Sequence, residues 1–163
     1  MASATDPTLC TTENGLTGVL LYRCPKVIKV FRRNFQVEEE QAEDIFVETL
    51  KWLWLGRIHR LDPDASKPPT LCIFPSLLII DEMWHCFVLC TKEYSDFCLK
   101  YLGEFLHHSP HTDDEGLASR DDLIENVSYV IKKLGRSTAM LWYGQYQYKY
   151  SGEWFRQYRV CEH

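Results

Sequence analysis

Apolar residues recur at helical spacing through most of the chain. Pro25 suits the first turn of a helix, and Val27, Val30, Phe31 and Phe35 then fall near one face, predicting a helix that ends by about residue 36. Glu38, Glu39 and Glu40 follow, placing negative charge where a helix N-terminus favours it. Ile45, Phe46, Thr49, Leu50 and Leu53 continue at helical spacing, and this is the strongest helical signal in the chain. Gly56 weakens the last turn. Pro63, Pro68 and Pro69 make residues 61–70 a loop.

Residues 71–75 read as a short extended piece, and Pro75 or Ser76 opens a helix running to about Cys90. Thr91 is the expected N-cap of the next helix. There Tyr94, Phe97, Cys98, Tyr101, Leu102 and Phe105 keep an unbroken helical rhythm, which predicts a buried stripe. A polar loop with Pro110 follows over 108–116. Ser119 and Asp122 resemble a helix start, Leu123, Val127, Val130, Ile131 and Leu134 form an apolar face, and Gly135 is the expected C-cap. From Ala139 the pattern changes: Tyr146, Tyr148 and Tyr150 alternate with polar residues, as in a strand, so either a short hairpin or a packed irregular tail is expected.

The expectation is a mainly α, single-domain bundle of four to five helices over residues 24–163. A lead-in over residues 1–23, ordered or half-ordered, precedes it, and an irregular or hairpin C-terminal tail closes it. A chain of 163 residues with 45% hydrophobic content supports one well-buried core.

Net charge of −5 argues against a nucleic-acid partner, since phosphate binding needs concentrated Lys and Arg. The one basic cluster, from Lys26 to Arg33, is interleaved with apolar residues and reads as a solvated helix face. No apolar run reaches the roughly 18 residues a membrane span requires, and the N-terminal residues lack the basic start and apolar stretch of a signal peptide. A cytoplasmic protein is expected. The seven cysteines, odd in number and without a CxxC pair, read as buried thiols and not as a disulfide framework.

Candidate chemistry concentrates between Asp81 and His108. If α-helical, Asp81 and His85 share a face one turn apart, where a carboxylate either orients an imidazole or shares a metal with it. Tyr94 and Cys98 are likewise four apart, and His107 and His108 end the same stripe. Packing the two stripes together would bring His85, Cys98 and one terminal histidine near one point. Imidazole, thiolate and carboxylate together suit zinc, copper or iron and not magnesium or calcium. The structural alternative is that His85 bonds Asp81, Cys98 is a small core residue and the histidines cap a helix. Met83 and Trp84 read as core. Cys86 and Cys90 read as buried thiols, with soft-metal ligation the alternative, and His111 could reach back from its loop.

The series Asp81-Glu82-Met83-Trp84-His85, Thr91 to Tyr94, Phe97-Cys98 and Gly103 to Pro110 resembles the core of the glycine-rich domain-containing proteins, and more closely the small bacterial members of that kind. The resemblance covers roughly residues 40–110, with Trp52 and Trp54 fitting the preceding segment. The glycine-rich tail of the plant members is absent, and no role tied to it carries over. Plant-type members place Asp at the position of His107, so His108 is the better-matched histidine. The resemblance thus implies Asp81, His85, Cys98 and His108 as the site, without naming a reaction.

Three functions follow as expectations. The first is a transition-metal protein in which His85, His108 and either Asp81 or Cys98 hold the ion. Tyr94 then supports a ligand or acts as acid or base, and an open position activates water or dioxygen for an unidentified peptide or small-molecule substrate. The second is a helical interaction module in which these residues are structural and the aromatic tail, Trp142 to Tyr158, binds a protein. Thiol chemistry by Cys98 is the third, and its place in an apolar stripe counts against it.

Overall fold

The computed structural model describes residues 13–109 and 118–160. Among these the chain is mainly helical and forms eight helices, more than the four to five expected, with no strand longer than a single bridge.

The central element is α3, Glu39–Leu61. Glu39 and Glu40 occupy its first turn, where the exposed N–H groups and dipole favour carboxylates. Ala42, Ile45, Phe46, Leu50, Leu53 and Leu55 are buried along it, with Trp52 and Trp54, so it is covered on most sides. It packs against α1 (Glu13–Leu20), α2 (Pro25–Asn34), α4 (Leu78–Leu89) and α6 (Arg120–Leu134). Pro25 stands in the first turn of α2, as its fixed φ predicts, and Val27, Ile28 and Phe31 are the buried face.

Helix α1 falls inside the segment expected to be only a lead-in. Its Val19 is buried, and Leu16 and Leu20 pack against the core.

The proline-bearing loop after α3 is held by side chains and not by periodic backbone. Asp62 Oδ1 accepts from the Asp64 amide at 3.0 Å, and Asn126 of α6 bonds Cys72 N at 3.0 Å and Thr70 O at 3.1 Å. A 3-10 turn, Pro75–Leu77, then leads into α4. Helix α5 begins at Thr91 itself. Cys90 takes the N-cap position without a side-chain cap, so the expected Thr91 cap is displaced by one residue. It runs as α-helix over Thr91–Phe97 and as a π turn over Cys98–Leu102, and Gly103 at φ 78° ends it in the left-handed region that glycine tolerates.

Helix α6 has the expected start: Ser119 Oγ accepts from Asp122 N while the Asp122 carboxylate reaches back to the Ser119 amide. Gly135 is its C-cap.

The tail is helical, contrary to the hairpin or irregular expectation. Helix α7 begins at Arg136–Ala139, passes through a π turn at Met140–Gln145 and finishes as Tyr146–Lys149; α8 is Gly152–Tyr158. Trp142, Tyr146 and Tyr150, spaced by four, are buried, and Tyr148 between them is 82% exposed. The indole N–H of Trp142 donates to the buried Glu48 carboxylate at 2.8 Å. After α8 the chain pairs Arg159 with Phe35 and bonds Arg159 to Glu82. No helix among the described residues is long and apolar enough to cross a membrane.

Candidate metal centre

Helix α4 buries Ile79, Ile80, Met83, Trp84, Cys86 and Phe87, which turns Asp81 and His85 outward, one turn apart. Asp81 Oδ2 lies 3.5 Å from His85 Nε2. The third member arrives from the segment after Gly103: His108 Nε2 is 2.9 Å from Asp81 Oδ1. One carboxylate thus faces two imidazoles, whose ring centroids are 4.5 Å apart. The His108 and Asp81 side chains are 11% and 18% exposed and that of His85 is 47% exposed, so the group opens to solvent on the His85 side.

The non-helical segment carrying His108 is held at several points. Glu104 bonds Arg57 of α3 at 2.6 Å. The Tyr94 hydroxyl donates to the Leu106 carbonyl at 2.6 Å and accepts from Trp84 Nε1–H at 3.0 Å. The Cys98 thiol meets the Leu106 amide and the Tyr94 side chain. The Trp84 ring lies beside the His108 ring, tilted by 46° with centroids 4.1 Å apart. Burial pushes both the Tyr94 phenol and the Cys98 thiol upward, so both are neutral at neutral pH.

Of the four expected donors, the structure brings together Asp81, His85 and His108, with one donor atom from each lying within 4.8 Å of the others. Cys98 is outside this group, fully buried. Tyr94 is buried too, and its hydroxyl is occupied on both sides. His107 is exposed beside Phe105, and His111 lies outside the described residues. Met83 and Trp84 are core residues as expected, and Cys86 and Cys90 are buried. Burial pushes the Cys86 thiol up to about 12. In the sequence Trp84 reads as core alone. Its contact with His108 had no local signal, because the two residues are 24 positions apart.

Two imidazole nitrogens and one carboxylate oxygen are a donor set for zinc or for iron(II) with open positions. Donors around one tetrahedral ion with bonds of 2.0–2.1 Å stand about 3.4 Å apart. The separations here, from 2.9 Å for Asp81–His108 upward within 4.8 Å, bracket that value, so the residues fit an ion after small side-chain adjustments.

Fold and site define a helical protein with a two-histidine, one-carboxylate cluster on its surface. Residues 67–127 are similar to the family described as UCP032817-like. The matched stretch runs from the loop before α4 into α6 and holds every member of the cluster and of its support except Arg57. No curated protein and no solved structure matches the chain.

Proposed function

We propose that Asp81, His85 and His108 bind a transition metal ion, zinc, iron or copper, and present it to a small molecule or peptide from the His85 side. The observation that carries this is the convergence of three donors from two separate segments on one part-exposed point, with Asp81 left to the imidazoles. Among the described residues no Lys or Arg pairs with that carboxylate. An ion with open positions there can lower the pKa of bound water or hold dioxygen. The likeness to the glycine-rich domain-containing proteins belongs to this proposal, since it rests on the same positions. A cytoplasmic setting fits the free thiols of Cys24, Cys72, Cys86, Cys90 and Cys98, which a reducing compartment preserves.

The interaction-module alternative drew on the aromatic tail, and Trp142, Tyr146 and Tyr150 are used in packing. The test is elemental analysis and zinc titration of protein purified without a metal-binding tag, alongside His85→Ala and His108→Ala. We expect one equivalent in the parent and its loss in both variants. Absence of stoichiometric metal from all three preparations, in either oxidising or reducing buffer, sinks the proposal.

A further inference from the structure

Tyr94, Cys98 and Trp84 sit among the proposed ligands in sequence, yet all three converge on the Leu106 peptide or on His108. A side chain on a non-helical segment keeps its place only where that segment's peptide groups are held. Burying an unpaired peptide group is costly, so the Leu106 carbonyl, fixed by Tyr94 at 2.6 Å, has little freedom to move. Leu106 is itself 9% exposed. Two residues further on stands His108, too few for a displacement at Leu106 to be absorbed before the imidazole. Trp84 joins the two ends of this arrangement: its N–H fixes the Tyr94 hydroxyl and its ring supports His108.

Resting on the metal proposal above, we infer that Tyr94 and Cys98 are positioning residues, which set where His108 meets the ion through the Leu106 peptide and do not touch the ion or its substrate. Trp84 couples Tyr94 to His108. The motif therefore divides into three donors and a support that aims one of them. A thiolate ligand at Cys98 and a proton-transferring Tyr94 are the competing roles.

Cobalt(II) titration followed by absorption separates these. The parent protein should bind cobalt and show visible d–d bands with no sulfur-to-cobalt charge-transfer band. Tyr94→Phe keeps the ring but leaves the Leu106 carbonyl and the Trp84 N–H unpaired. It should weaken cobalt binding about 10- to 100-fold, the usual range for residues behind a ligand. At saturating cobalt its d–d bands should be displaced from those of the parent, a change that lost stability alone does not cause. Trp84→Phe tests the same link should Tyr94→Phe not fold, and should displace the bands likewise. A charge-transfer band in the parent that disappears in Cys98→Ser overturns the inference, as does a folded Tyr94→Phe or Trp84→Phe with parental affinity and spectrum. If the parent binds neither cobalt, zinc nor iron, the metal proposal falls and this inference with it; the other failures leave that proposal standing.

Discussion

Two groups of aspartates in this molecule meet opposite fates. In the loop after α3, Asp62 accepts from Tyr129 at 2.9 Å and pairs with Lys133 at 2.7 Å, and Asp64 pairs with Lys132 at 2.6 Å. The hydrogen bond from Lys133, with help from the Asp64 amide, holds the Asp62 carboxyl down to about 2; Lys132 and Ser66 hold Asp64 well below the usual carboxylate range. On α4, Asp81 has only imidazoles for partners among the described residues. An ammonium group consumes a carboxylate and makes structure, whereas imidazole is itself a metal donor and leaves the carboxylate available to a cation. Carboxylates of one chemistry thus fasten a loop in one place and frame a candidate site in the other.

The largest effect should come from exchanging the two roles. Asp81→Asn should reduce zinc affinity by more than the roughly 10- to 100-fold typical of supporting residues, read by competition with a chelating dye, and leave the fold intact by circular dichroism. Asp62→Asn should keep the metal and lose about 1.5–3 kcal/mol in urea unfolding, as for other hydrogen bonds to charged groups. Equal metal loss in both variants would break the comparison.

Acid should separate the two groups next. Asp62 and Asp64 have lower pKa values folded than unfolded, so their stabilisation is fully present above the ordinary aspartate value near 4 and for Asp62 disappears as pH falls toward about 2. Metal ligands must be deprotonated, so zinc should leave at milder pH than that. Paired zinc-release and unfolding titrations should show release first. Coincident transitions would contradict the division.

The smallest effects should lie within the loop group. Lys133, 24% exposed with a 7% exposed partner, should cost about 1 kcal/mol on Lys133→Met, and Lys132, 56% exposed and screened by solvent, should cost less on Lys132→Met. Neither should alter metal content. Thermal unfolding resolves the order, and a larger cost at Lys132 would reverse it.

Much of the helical framework was legible because its signals are local. Pro25, the Glu38–Glu40 run and the Ser119/Asp122 pair act within one turn of their own helix ends, and all three stand at such ends. The tail misled because Tyr146, Tyr148 and Tyr150 alternate with polar residues over a short window. The signal that decides it is the spacing of four from Trp142 through Tyr146 to Tyr150, which spans two helical turns. Helix α1 went unseen because Leu16, Val19 and Leu20 are too few to set a period among Thr, Asn and Gly. At the site, the Asp81/His85 spacing could be read from one helix. The place of His108 depends on Gly103, where the chain leaves its helix before Phe105 instead of carrying the stripe onward, while Cys98 faces the core.

The Asp81–His108 contact also has a polymer consequence. It joins positions 27 residues apart, so an ion held by both would close α4, α5 and the following segment into a ring of the kind a disulfide makes. For a loop of this size the chain-entropy model gives about 3–4 kcal/mol of stabilisation for a permanent link. A metal ion there would therefore act as a removable staple, making the hairpin of α4 and α5 slower to open when loaded than when stripped.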